Sequence, residues 1–318
     1  MTLNMTSSRP PSDAPPRPAE LRAHRPARTT APQPHTLRVR SRSALVDGRK
    51  VHYREAGAPD APAIVLRHGF PSSSHMYREL IPLLADRFRV IAPDYIGFGH
   101  SEAPTVAEYD YTFDNLSTSV QQLLDQIGVD QALYYMQDYG GPIGLRLATA
   151  RPEKVQGLIF QNANAYMDGV SQAVFDVFMP LWQSGDETGA RQMLLAETTR
   201  YQYVAGSRSV ETLNPDAWTH DQALLERPGS EARQLALFRD YQTNVALYDD
   251  WHAYFRTHQP KSLVAWGQGD PFFTVAGAEA FKRDLRHLEV HYFNTGHFAL
   301  EEDAEPIAAL IKRYFLGA

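Results

Sequence analysis

Short apolar runs of strand length, each closed by glycine or proline, alternate along this chain with stretches of helical spacing. That rhythm limits the fold more than any other feature. Ala63-Ile-Val-Leu-Arg67, Arg89-Val-Ile-Ala92, Ala132 to Met136 and Gly157 to Gln161 read as strands. Between them, Leu116, Val120, Leu123, Leu124 and Ile127 recur at helical intervals, which places them on one helix face, and Gly128 ends that helix. Met76 to Ala85 shows the same spacing, and another helix is expected from Gly140. Strands apolar along their whole length and joined by helices imply a parallel sheet covered on both faces. Thr36 to Glu55, ahead of this series, reads as a hairpin around the turn dipeptide Asp47-Gly48. The rhythm stops after Ala165. From Tyr166 to about Thr257 the patterns are helical and aromatic-rich. Strands resume at Ser262 to Trp266 and Glu289 to Phe293, with helices at Ala276 to Arg286 and Ile307 to Phe315. The expected organisation is an α/β core from 37 to 165, a helical cap from 166 to 257 and the rest of the core from 258 to 318. Such an insertion lies at the carboxyl ends of the strands, where open α/β sheets bind ligands.

Composition narrows the chemistry. A chain of 318 residues with 43% hydrophobic and 21% charged residues is ordinary for one large soluble enzyme domain. The net charge of −6 argues against a nucleic-acid partner. The absence of cysteine removes disulfides, thiolate metal sites and cysteine nucleophiles. It fits a reducing compartment. With no apolar run of membrane-spanning length and no secretory signal, the expected location is the cytoplasm, away from membranes. Residues 1 to 36 carry eight prolines, no Phe, Tyr or Trp, and more arginine than acid. Such a stretch buries too little apolar surface to offset its ordering entropy, so a disordered tail is expected.

The segment Tyr135-Met-Gln-Asp-Tyr-Gly-Gly-Pro-Ile-Gly144 runs from a strand end through glycines into a helix. A tight turn there projects Asp138 at the helix N-terminus, where the macrodipole favours an anion. The bland reading is an N-cap aspartate. As a nucleophile, an aspartate needs no base to ionise, since its reference pKa is about 3.9. A carboxylate suits displacement at a saturated carbon, as in an epoxide or an alkyl halide. The ester so formed needs water and a basic histidine for release. Among 12 histidines, His297 follows the last strand. Asp270, in Gly-Asp-Pro after the preceding strand, would orient it, giving the chain order nucleophile, acid, histidine. The loop His68-Gly-Phe-Pro71 and the residue after Asp138 offer Phe70 and Tyr139 as backbone donors of an oxyanion hole. Asp94 and His100, in a glycine turn, read as structural.

Taken together, His68-Gly-Phe-Pro-Ser-Ser-Ser, Asp94-x-x-Gly97-x-Gly99-x-Ser101, Gln137-Asp-Tyr-Gly-Gly-Pro, Gly269-Asp-Pro-Phe-Phe and Thr295-Gly-His-Phe resemble the epoxide hydrolase and haloalkane dehalogenase branch of α/β-hydrolases. The resemblance covers roughly residues 36 to 318. It implies an α/β-hydrolase fold, a mostly parallel twisted sheet flanked by helices with an inserted helical lid. It also implies cofactor-free, metal-free hydrolysis of a small apolar epoxide or haloalkane by water. The dehalogenase pattern has tryptophan directly after the nucleophile, where this chain has Tyr139, and an Asn where it has Phe70. The epoxide hydrolase pattern has two lid tyrosines. Tyr241 resembles the second. For the first, the nearest aromatic by spacing is Trp182, with Tyr166 and Tyr203 as further substrate-binding candidates. An epoxide hydrolase forming a vicinal diol is therefore expected, with a haloalkane dehalogenase as the alternative and a non-catalytic ligand-binding protein on the same scaffold as the third reading.

Overall fold

Residues 37 to 317 are described in the computed structural model of the chain; the expected disordered tail, residues 1 to 36, lies outside the described residues. Eight strands form one sheet: β1 (Arg40–Val46), β2 (Arg49–Ala56), β3 (Ala63–Arg67), β4 (Arg89–Pro93), β5 (Ala132–Gln137), β6 (Val155–Gln161), β7 (Ser262–Gly267) and β8 (Leu288–Phe293). Their order is β1-β2-β4-β3-β5-β6-β7-β8. Only the pairings of β2, with β1 and with β4, are antiparallel; from β4 to β8 all are parallel. The expected hairpin is present but starts later than Thr36. Pairing opens with Arg40 opposite Glu55. Beyond Ala56, Gly57 turns at φ 91° and takes the partner strand away, so Leu37 and Arg38 have no strand opposite them.

The helices are α1 (Leu80–Leu84), α2 (Phe113–Gln126), α3 (Gly140–Ala150), α4 (Gln172–Ser184), α5 (Thr188–Gln192), α6 (Ala196–Val204), α7 (Asp216–Leu225), α8 (Ser230–Asp240), α9 (Gln242–Ala246), α10 (Tyr248–His258), α11 (Val275–Ala280) and α12 (Leu300–Leu316). The helix expected over Met76 to Ala85 is split into a 3-10 turn at Ser74–Tyr77 and α1. Pro82 has no N–H to give to a preceding turn, so it sits in the first turn of a new helix. The Ala276–Arg286 pattern likewise divides into α11 and a 3-10 turn at Phe281–Arg283.

Period-two alternation along the central strands sorts side chains into two cores. Val65, Tyr134, Met136 and Phe160 face α2 and α3, while Ile64, Leu66, Tyr135 and Ile159 face α1 and α12. Helices α4 to α10 are inserted between β6 and β7, and no sheet strand interrupts them among the described residues. An isolated bridge between Val170 and Phe273 ties the start of the insertion to the loop after β7. No helix among the described residues is long and apolar enough to cross a membrane.

Candidate active site

Asp138 and Tyr139 join the end of β5 to the start of α3, and Asp138 lies in the left-handed region at φ 47°. A non-glycine residue there is uncommon and persists where its surroundings over-determine it. Two glycines make the turn sterically open. A Cβ on Gly69 would stand 2.2 Å from the Asp138 Cβ, and one on Gly140 would stand 2.0 Å from the Arg67 carbonyl oxygen. The Phe70 N–H donates to Asp138 Oδ1 at 2.7 Å, and the Tyr139 N–H also favours the charged carboxylate. Oδ2 is left facing His297, with Nε2 3.9 Å away.

The imidazole is held from its other side. His297 Nδ1 donates to Asp270 Oδ2 at 2.7 Å. Asp270 is itself fixed by the N–H groups of Phe272 and Phe273 on Oδ1, at 2.7 and 3.1 Å, and by the Asn162 amide on Oδ2 at 2.8 Å. With its proton on Nδ1, His297 presents a lone pair at Nε2, where the Gln137 amide donates at 2.8 Å. Burial pushes the Asp138 pKa up, against the pull of His297 and the two backbone donors. Burial works against charge on His297, but the Asp270 carboxylate and then Asp138 outweigh it, and the net direction is upward. An anion on a strained turn, a base within reach and two backbone N–H donors at the carboxylate can carry nucleophilic attack followed by hydrolysis of the ester.

Asp138 and His297 line a cavity of ≈ 50 Å³. Phe70, Tyr139, Phe272 and Phe273 complete its core side, and the insertion contributes Val174, Phe178, Met193, Gln202, Phe238 and Tyr241. The expected Tyr241 is therefore at the cavity, packed 5.9 Å from the Tyr139 ring. The three further substrate-binding candidates do not line it. Trp182 stacks behind Tyr241, and its indole N–H donates to the Phe238 carbonyl at 2.8 Å. Tyr166 stacks on His252 and gives its hydroxyl to Asp284. Tyr203 stacks on Phe298 and gives its hydroxyl to the buried Asp221. All three were drawn away because each polar tip found an acceptor elsewhere, which linear spacing does not reveal. Asp94 is engaged in structure, accepting N–H bonds from Ser74 and His100.

Sequence reasoning passed over Asn162, Gln137 and Gln202. Asn162 alone left a signal, an asparagine at a strand end, and it adopts φ 46° there. No group of three or more His, Asp or Glu among the described residues is placed to hold a metal ion.

The profile of the alpha/beta hydrolase fold family matches residues 62 to 304. The chain is an α/β hydrolase. The hydrolase is 42% identical over 275 residues to an uncharacterized hydrolase of Saccharomyces cerevisiae, covering 85% of this chain and 94% of that one. It is 40% identical over 268 residues to a haloalkane dehalogenase of Mycobacterium marinum, covering 81% and 85%. Among solved structures, a haloalkane dehalogenase from Bradyrhizobium elkani superimposes with a TM-score of 0.75 at 26% identity, covering 88% of the hydrolase and 98% of that chain. An epoxide hydrolase structure shares the fold, with a TM-score of 0.71 at 21% identity over 88% and 99% of the two chains.

Proposed function

We propose that the hydrolase opens small epoxides to vicinal diols through an ester of Asp138. In the first step the free Oδ2 of Asp138 attacks a ring carbon and the carbon–oxygen bond of the ring breaks. Tyr241 gives its proton to the departing oxygen, which stays on the substrate as a hydroxyl. In the second step the Gln137 amide gives up Nε2 of His297, which, oriented by Asp270, takes a proton from water, and the hydroxide adds to the Asp138 carboxyl carbon. The N–H groups of Phe70 and Tyr139 hold the oxyanion at Oδ1. The ester bond then breaks, the proton of the added hydroxyl passes to the departing alkoxide so that the diol leaves and Asp138 is again a carboxylate, and the proton on His297 returns to the Tyr241 phenolate through solvent. Helices α4 to α10 act as the lid over this chemistry.

One observation carries the choice of substrate. Tyr241 shares the cavity with Asp138 and, as a phenol, carries its proton at neutral pH; burial raises its pKa further, and its hydroxyl meets that of Tyr248. The indole beside it, on Trp182, has its N–H committed to a backbone carbonyl. A phenol supplies the proton that a ring oxygen needs, whereas a halide needs N–H donors and no proton. The second reading, haloalkane dehalogenation, is favoured by the naming of the Mycobacterium marinum relative. A paired assay separates them: diol from small epoxides and halide from bromoalkanes of equal size. Diol formation that drops strongly in Tyr241→Phe is the expected result. Halide release without diol would move the assignment to the second reading.

A further inference from the structure

Beyond the groups used in that mechanism, two residues lining the cavity carry a buried polar side-chain atom with no hydrogen-bond partner among the described residues, the hydroxyl of Tyr139 and the amide of Gln202, and only the amide is a donor on the insertion side. Gln202, on α6, is 3% exposed and lines the cavity with Asp138 and His297. Its Nε2 has no hydrogen-bond partner among the described residues. The cavity it lines is otherwise largely apolar, with Phe272, Met193 and Val174 among its walls. A buried amide donor left unpaired is destabilising, so a built pocket that keeps one is completed by an acceptor from outside.

The position of this amide is fixed. The next residue, Tyr203, stacks flat on Phe298 at 3.8 Å and bonds Asp221, and Thr199 bonds Gln222 of α7 at 2.7 Å. At the end of α6 the backbone touches both catalytic loops: a Cβ on Gly296 would stand 2.1 Å from the Ala205 carbonyl oxygen, and one on Gly206 would stand 2.0 Å from that of Gly269. Gln202 is thus clamped on the side of the His297 and Asp270 loops. Tyr241 belongs to a different wall, packed on Tyr139, Phe113 and Trp182. The two donors therefore serve different substrate atoms.

We propose that Gln202 is a specificity-determining residue that donates a hydrogen bond to an oxygen on the substituent of the substrate. The favoured electrophile then carries an ether, ester or carbonyl oxygen beside the reacting carbon and is not a plain hydrocarbon epoxide. This inference rests on Asp138 as the nucleophile but not on the epoxide itself.

The test uses isosteric pairs. Methyl glycidyl ether and propyloxirane differ by one oxygen for one methylene, as do methoxyethyl bromide and n-butyl bromide. The full-length hydrolase should favour the ether of whichever pair it turns over by about tenfold in kcat/KM, the discrimination expected of one such hydrogen bond. Gln202→Met should bring that ratio to about one while the mid-point of thermal unfolding confirms a folded protein. Dissociation constants of the same pairs for Asp138→Asn protein should show the same ratio without turnover. Turnover of bromides without epoxides would sink the epoxide reading and leave this test running. A ratio near one in the wild-type protein, a ratio retained in Gln202→Met, or equal slowing of both partners by that variant would overturn the role of Gln202.

Discussion

Asp270 accepts four hydrogen bonds, two from backbone N–H groups, one from Asn162 and one from His297. A carboxamide cannot accept on both arms, so Asp270→Asn would leave at least one donor unpaired or turn the imidazole to its other tautomer. In a serine-protease triad the equivalent change lowers kcat by about four orders of magnitude. On the proposed mechanism the loss falls on the second step, so the ester accumulates, and single-turnover measurements should show ring opening outpacing diol release. The pH dependence has a defined sign. His297 acts as a base only when neutral, and its pKa is raised above the ordinary histidine value, so hydrolysis is lost as pH falls through that raised value. Formation of the ester removes the charge of Asp138, leaving Asp270 as the main support of the imidazolium. The acid limb of the second step should therefore lie below that of the free enzyme. Asp138, Asp270 and His297 stood out as candidates in the sequence because each follows a strand and has a glycine within two residues. Gln202 was not, because Ala-Glu-Thr-Thr-Arg-Tyr-Gln-Tyr-Val has no apolar stripe that would say which side of α6 faces inward.

The seam between the insertion and the core is an element-scale feature that spacing did not announce. His220 of α7 lies against His75 of the turn after β3, with ring centroids 4.3 Å apart, and both Nε2 atoms are buried without a partner among the described residues. His100 lies 6.0 Å beyond, Arg54 and Arg78 add positive charge, and Asp94 is the acidic neighbour. Burial, then the neighbouring cations, push the His75 pKa down to about 4 and lower that of His220. Both rings are neutral in the fold at pH values where the unfolded chain, at about 6.5, already takes up protons. Stability is therefore present above about pH 6.5 and is lost as the pH falls towards about 4. The mid-point of thermal unfolding should drop across that window, and His220→Phe should flatten the drop. An unchanged pH dependence in that variant would remove the pair from the account. At this scale the strands were legible to within a few residues, since buried parallel strands are apolar throughout. Helix ends were less so: Pro82 restarts a helix that its spacing makes look continuous, and α12 begins at Leu300, well before the Ile307 pattern, crossing a kink at Asp303.

At the scale of the whole molecule, the alternation of strand and helix patterns, with its single long interruption, was enough to imply one parallel sheet with an insertion at its carboxyl edge. The order of the strands and the antiparallel start at β2 depend on pairings between segments far apart in the chain and carry no local signal. The cavity arises in the same way. Its polar groups come from the turn after β5, the loop after β8, α6 and the junction of α8 with α9, and only the assembled fold brings them to one space. The central claim, that Asp138 is the atom donor of a covalent ester, is tested by mixing His297→Gln protein with a small epoxide and reading intact mass followed by peptide mapping. The expected result is a stable gain equal to one substrate mass, carried by the peptide that holds Asp138 and absent in Asp138→Asn. No adduct, or an adduct on a different residue, would contradict it.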